Sequence, residues 1–309
     1  VNYAQALAFL LERERFGIKL GLENVQKLLE AVEHPERSFQ SVLIAGTNGK
    51  GSTTAMLASI LQSAGHSTGR YTSPHLVRFE ERIMVSGCEI SEGELAAVVS
   101  EVADVVSSLR KSGVLLTEPT YFEVATACAF EFFRRRGVEV AAVEVGLGGR
   151  FDATNVVPAE LTVITNIAFD HERYLGGTLA HIASEKAATI KPGRPVVTGV
   201  STGAALDVIR AEAERLSAPL HVVAEEVEVA ASREVDNGQE VELRTPERRY
   251  SNLLLPLRGE HQLQNLALAV RTAELLDAQG LGVPTSAVVA GVAETRWPAR
   301  LERFPGTPS

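Results

Sequence analysis

The sequence holds no apolar run long enough to cross a membrane, which excludes a helical membrane protein and sets aside a membrane partner. No basic segment followed by an apolar stretch opens it, so nothing at its start predicts secretion. Cysteine is scarce: Cys88 and Cys128 are the only two, far apart and in no metal or redox spacing. Both are expected as plain thiols in a reduced, cytoplasmic setting. Positive charge is also short, with 30 Lys and Arg against 39 Asp and Glu and a net charge of −9. That balance argues against a nucleic-acid surface. There is no internal repeat and no low-complexity segment. An initiator Met is missing, and the last residues, Pro-Gly-Thr-Pro-Ser, read as a linker. What remains, 309 residues with 45% hydrophobic and 22% charged, suits a globular enzyme of one large domain or two.

One stretch organises the rest: Gln40 to Ala58, QSVLIAGTNGKGSTTAMLA. A short apolar run, Val42-Leu43-Ile44, stops at Gly46, and a helical pattern starts near Lys50. Strand, glycine loop and helix together form the geometry that binds phosphate. Unpaired backbone N–H groups and the helix dipole place partial positive charge at the same spot. Lys50 can reach terminal phosphates, and a hydroxyl from Ser52 or Thr53 can hold Mg²⁺. The common pattern G-x-x-x-x-G-K-[ST] is not met. Ile44 stands where it wants glycine, and Gly51 where it wants a hydroxyl. A glycine-rich turn that binds nothing is the alternative, and the flanking strand and helix favour nucleotide binding.

Along the chain, helices are predicted over Asn2 to Arg15 and Leu22 to His34. A strand over Thr68 to Tyr71 runs into a proline loop, Thr72 to Leu76, and a hairpin follows over Arg82 to Ile90 around Ser86-Gly87. Ser91 and Glu94 form a capping box that opens a helix to about Arg110, and another helix follows Pro119 to Arg136. Glu139 to Val145 and Leu161 to Ile167 are β-branched runs typical of buried parallel strands. Strand and helix alternate onward from a helix over Thr178 to Ile190. An antiparallel patch spans Val227 to Leu255 around Asp236-Asn237-Gly238, and helices over His261 to Leu276 and Ser286 to Glu294 close the pattern. The expected fold is a doubly wound, mostly parallel α/β sheet with a small antiparallel patch. Its ligands should lie at the carboxyl ends of the strands.

Three strand ends carry polar groups. Glu144 sits inside a buried strand just before Gly146-Leu147-Gly148-Gly149-Arg150, where an unpaired carboxylate is costly. A metal beside a nucleotide would satisfy it, as would a purely structural pair with Arg150. Asp170-His171 ends the next strand with two possible ligands. Asp152 and Asn155 add polar groups to the same rim, or serve only as turn formers.

With these residues in view, the chain resembles folylpolyglutamate synthase/dihydrofolate synthase, the folate branch of the Mur-type ATP-dependent ligases. The blocks are A-G-T-N-G-K-G-S (45–52), Y-T-S-P-H-L-V-R-F-E-E-R-I (71–83), T-Y-F-E (120–123) and E-V-G-L-G-G-R-F-D-A-T-N (144–155). They continue with D-H (170–171), E-K-A (185–187), H-Q-L-Q-N (261–265) and W-P-A-R-L-E (297–302), in the family's order. The resemblance implies ATP phosphates held at Thr47, Asn48, Gly49, Lys50, Gly51 and Ser52, with nucleotide contacts from Asn265 and Arg300. It implies Mg²⁺, as two ions, on Ser52, Ser73, Glu144 and His171. It places Lys50, Lys186 and His171 in catalysis, Lys186 as a CO₂-derived carbamate. It sets Tyr121, Phe122, Phe151, Asp152 and Ala153 where a pterin binds, and makes 73–79 the loop that closes over it.

Each position has a plainer alternative: Tyr121 and Phe122 as helix core, Asn265 as a surface amide, Arg300 as a solvated charge, Lys186 as an ordinary helix lysine. Lys19 is assigned no role. The implied reaction adds L-glutamate to dihydropteroate or a reduced folate through an acyl phosphate, in a monomer. The family's second α/β domain is expected to be missing, with 1–296 as the ATP-binding domain and 297–309 as a linker. A non-catalytic nucleotide-binding module and a cell-wall Mur ligase are the competing functions.

Overall fold

The computed structural model describes residues 2–17, 19, 21–171 and 175–301. Strand β1 (Gln40–Ala45) lies in the middle of its main sheet, and all but its first residue are buried. Its side chains alternate between two cores. Leu43 and Ala45 join one apolar cluster, while Val42 and Ile44 join another on the opposite face. A strand covered on both faces must be apolar throughout, which is why QSVLIA shows no polar alternation. The same holds for β5 (Val140–Glu144) and β6 (Leu161–Ile164), which flank β1 in parallel register.

The other strands of the sheet are β2 (Thr68–Tyr71), β3 (Ile83–Val85), β4 (Cys88–Glu89), β7 (Val196–Thr198) and β8 (Leu220–Val222). Eight strands run in the order β4-β3-β2-β5-β1-β6-β7-β8. All neighbours from β2 to β8 are parallel, and the β2–β3–β4 edge is antiparallel. On one face lie α1 (Tyr3–Leu11), α2 (Glu23–Ala31), α4 (Glu92–Lys111) and α5 (Tyr121–Arg135). Under the other face pack α3 (Lys50–Ser63) and two late helices, together with the separate sheet β9 (Glu228–Val235), β10 (Gly238–Arg244), β11 (Arg249–Leu255). Helices α6 (Leu179–Ala187) and α7 (Gly203–Arg215) cover the β7–β8 end. A single turn, α8 (Val223–Glu226), precedes the small sheet, and α9 (His261–Ala278) and α10 (Thr285–Ala293) follow it. The doubly wound fold and the antiparallel patch are therefore as expected.

Several boundaries differ for identifiable reasons. The first α-helix stops at Leu11, because Glu12–Phe16 tightens into a 3₁₀ turn that ends at Gly17 with φ 62°. Strand β6 stops at Ile164 rather than 167: Thr165 N still donates to Ala45 O at the end of β1 (2.9 Å), but the Thr165 hydroxyl and Asn166 turn to the loop after β1. Arg82 belongs to a 3₁₀ turn (Phe79–Arg82), so β3 begins one residue later than expected. No helix among the described residues is long and apolar enough to cross a membrane.

Candidate active site

The carboxyl ends of β1, β2, β5 and β6 meet at one rim, and the loop from Gly46 to Gly49 crosses it. Residues after β6 hold this loop. Thr47 N donates to Asn166 O (2.9 Å), Asn48 N to Asn166 Oδ1 (2.8 Å), and Thr165 Oγ1 to Asn48 O (2.6 Å). Gly49 caps α3 with φ 84°, and a Cβ there would collide with the Asn265 side chain. Asn265 is thus a buried amide beneath the loop, bonded to Gln262 Oε1 (2.9 Å), and not a surface group. A Cβ at Gly51 would run into the Trp297 ring, which explains why glycine replaces the hydroxyl residue that usually follows the lysine. Ser52, one residue on, is buried in the first turn of α3.

Two lysines converge on one peptide oxygen. Lys50 Nζ donates to Gly46 O (3.1 Å) and Thr47 O (3.0 Å), and Lys186 Nζ donates to the same Gly46 O (2.9 Å). Lys186 is buried, so it is not an ordinary solvated helix lysine. Burial first, and the nearby Lys50 charge second, lower its pKa to about 8. Glu144 ends β5 directly beside Ile44 of β1. Burial raises its carboxyl to about 7 against the opposing pull of Lys50, and its Oε2 accepts from Ser73 N (3.1 Å). Arg150 does not pair with it; Arg150 Nε binds Glu185 Oε1 at 2.9 Å. The purely structural pairing is thereby excluded.

The expected metal ligands are only partly assembled. Ser73 meets Glu144 through its backbone, whereas the His171 ring is half exposed, with Nε2 3.4 Å from Asp170 Oδ1. Among the described residues no three His, Cys, Asp or Glu side chains gather into a metal cluster. A buried carboxylate with no ion pair among the described residues, touching only the Ser73 backbone N–H, nevertheless fits a hard cation that takes most of its ligands from phosphate and water.

A cleft of about 580 Å³ opens from Ser73, Pro74 and His171 toward Gly17 and Lys19. Tyr121 and Phe122 line it from the start of α5, where a capping box fixes the helix: Thr120 N donates to Glu123 Oε2 (2.6 Å) and Glu123 N to Thr120 Oγ1 (3.2 Å). Both rings reach the cleft and are only partly core. Phe151 is 42% exposed on the opposite wall. Asp152 and Ala153 are buried there, and Asp152 spends its carboxylate on its own loop, accepting from Leu147 N (2.8 Å), Thr154 N (3.0 Å) and Thr154 Oγ1 (2.5 Å). Arg300 lies outside this cleft, exposed, with its guanidinium 5.8 Å from the Trp297 ring. Sequence reasoning passed over Lys19, whose Nζ reaches Glu118 O (2.6 Å) on the cleft wall, because its partner is 99 residues away. It also passed over Thr120-x-x-Glu123, a capping signal as clear as the one at Ser91.

A loop of this kind at the end of a parallel strand, two lysines at one point and a cleft alongside define a P-loop enzyme that brings nucleotide phosphates to an acceptor. Residues 44–273 match the Mur ligase middle domain. The chain is 41% identical over 302 residues to a dihydrofolate synthase/folylpolyglutamate synthase of Bacillus subtilis, covering 97% of this chain and 70% of that protein. It is 34% identical over 309 residues to a folylpolyglutamate synthase of Lacticaseibacillus casei, covering 100% and 72%. Among solved structures, an FPGS–AMPPCP–folate complex superposes with a TM-score of 0.93 at 33% identity, covering 98% of this chain and 74% of that one. Mycobacterium tuberculosis folylpolyglutamate synthase complexed with ADP and AMPPCP gives 0.88 at 37%, covering 96% and 68%. The chain belongs to the folylpolyglutamate synthase/dihydrofolate synthase family of Mur-type, ATP-dependent ligases.

Proposed function

We propose that this protein uses ATP to join L-glutamate to the carboxyl group of dihydropteroate or a reduced folate. The observation that carries the reading is the meeting of Lys50 and Lys186 at Gly46 O, with buried Glu144 joined through Ser73 to the edge of an aromatic cleft. A carboxylate resists amines because of its charge and resonance. Transfer of the γ-phosphoryl group gives an acyl phosphate; the glutamate amine attacks its carbonyl, phosphate leaves, and the amine's surplus proton is lost as the amide forms.

The chain's own groups serve each step. Backbone N–H groups at the start of α3 and the Lys50 ammonium stabilise charge on the transferring phosphoryl. Phe122 and Phe151 offer flat apolar faces to a pterin ring, Tyr121 lines the cleft beside Arg82, and Asp152 keeps the Phe151 loop in shape. Glu144 with Ser52 and Ser73 would hold Mg²⁺, which supplies charge neutralisation at the phosphates when bound. Two ions, with His171 as a further ligand, require that histidine to turn inward.

Lys186 is assigned to carbamate formation. Burial favours its neutral amine, which adds to CO₂ with loss of a proton and replaces a cation near Lys50 with an anion. Asn265 and Arg300 are assigned to the nucleotide. We further assign the protein to a reducing compartment, in keeping with the free thiols of Cys88 and Cys128, and to a monomeric state. A nucleotide-binding module without chemistry is disfavoured, because Lys50, Glu144 and Lys186 all stand in place. Lys50→Ala should abolish ATP turnover and leave the thermal unfolding curve intact; undiminished phosphate release by the folded variant would remove the basis of this assignment.

A further inference from the structure

Among the described residues, Arg82 is the guanidinium that lines the aromatic cleft at its Ser73 end, and it is more than nine-tenths buried. Its Nε donates to His75 Nδ1 (2.7 Å), and its charge lies 5.3 Å from the centre of the Tyr121 ring and 5.9 Å from that of Phe79. Among the described residues its two terminal nitrogens have no hydrogen-bond partner and no carboxylate pairs with it. The acidic side chains of the cleft do not supply one: Glu123 is taken by Thr120 N, Glu185 by Arg150 and Asp152 by Leu147 N and Thr154, and Glu14 forms no ion pair with Arg82. A guanidinium on a cleft wall with its terminal nitrogens unpaired presents a fork geometry that matches a carboxylate. Tyr121 Oη, also buried and without a partner, adds a second free donor nearby.

We infer that Arg82 recognises a carboxylate of the folate substrate other than the one that reacts, namely the α-carboxylate of its terminal glutamyl residue. The inference rests on the ligase reading above and deepens it. Position supports the assignment. Arg82 O accepts from Thr72 N (3.0 Å), and the next residue, Ser73, binds Glu144 through its own N–H. Arg82 therefore stands beside the acyl end of the cleft, whereas the Phe151 wall and its glycine loop offer the flat surface for a pterin. An anion held by Arg82 lies next to the reacting carboxyl without occupying its place. Dihydropteroate has only the reacting carboxylate, so Arg82 favours substrates that already carry glutamate.

The test compares binding of pteroate and pteroylglutamate, which differ only in that glutamyl group, to the protein with Mg²⁺ and a non-hydrolysable ATP analogue. Arg82→Gln should weaken pteroylglutamate binding by about tenfold to a hundredfold, the loss expected for a charge-assisted hydrogen bond, while pteroate binding holds. Arg82→Lys should recover part of the difference. Unaltered pteroate binding also certifies that the variant cleft is folded. Equal loss of both ligands, or an unchanged ratio, overturns the inference. So does a variant that keeps the ratio but binds free L-glutamate more weakly, since Arg82 would then serve the incoming amino acid. If the unmodified protein binds neither pteroate nor pteroylglutamate, the folate reading itself falls; if it binds both and the ratio survives Arg82→Gln, only this inference does.

Discussion

Lys186 shows how a single residue can serve the site at the expense of the fold. Its ammonium shares Gly46 O with Lys50, and burial lowers its pKa from 10.5 to about 8. The folded chain therefore holds this proton less tightly than the unfolded chain does. The lysine's contribution to stability is least favourable below pH 8 and improves as pH rises from about 8 toward 10.5. The shift corresponds to at most about 3 kcal/mol. Lys186→Met should raise the melting temperature at neutral pH in bicarbonate-free buffer, flatten the alkaline rise to the part contributed by Lys191, and remove ligase activity. Thermal unfolding across pH checks this; a lower melting temperature with an unchanged slope would contradict it. The burial of this lysine was not legible in the sequence. In S-E-K-A it has the look of a surface residue, and only the family block pointed inward.

At the scale of elements, the loop after β5 and helix α6 act as one piece. Arg150 N donates to Glu185 O (2.9 Å), Arg150 Nε to Glu185 Oε1 (2.9 Å), and Asn155 Nδ2 to Arg150 O (3.1 Å). Lys191 Nζ closes the far side on Asn155 O (2.7 Å) and Oδ1 (2.8 Å). The cleft wall and the helix that carries Lys186 are thereby fixed to each other. The Arg150–Glu185 pair is part exposed, so its worth to stability is below about 1 kcal/mol. Its worth to positioning is larger. Arg150→Met should lower kcat by about tenfold to a hundredfold and barely move the melting temperature, because small misplacements near reacting groups are amplified. Equal kcat in variant and parent would show that the clamp is irrelevant to catalysis.

The elements themselves were mostly readable in advance. Apolar β-branched runs marked β1, β5 and β6, and Ser91-x-x-Glu94 marked α4, since these signals are local. Strand ends were less so: β6 was expected to reach Ile167, and only the packed structure shows Thr165 and Asn166 diverted to the phosphate loop. The glycine at 51 looked like a defect in the motif until Trp297, 246 positions later by numbering, filled the space.

That last contact matters for the molecule as a whole, because it brings the chain's late segment back to the P-loop. Trp297 rests on the first turn of α3, with the guanidinium groups of Arg70 and Arg300 at 5.2 and 5.8 Å from its ring. Gly51→Ala should cost about 1–3 kcal/mol through overpacking, and Trp297→Ala should relieve part of that cost in the double variant. Strict additivity of the two changes in denaturant unfolding would argue against the contact. As the sole tryptophan, Trp297 also provides a direct fluorescence report on nucleotide arrival at the loop.

If phosphates gathered at Lys50 activate a carboxylate lying in the aromatic cleft, the phosphate released carries an oxygen from that carboxylate. The most direct test labels the carboxylate oxygens of dihydropteroate or tetrahydrofolate with oxygen-18 and supplies the protein with ATP, Mg²⁺ and L-glutamate. An acyl phosphate requires one labelled oxygen to depart with each phosphate released, so the mass spectrum of inorganic phosphate should show one oxygen-18 per amide bond formed. Amide formation with wholly unlabelled phosphate would contradict this activation.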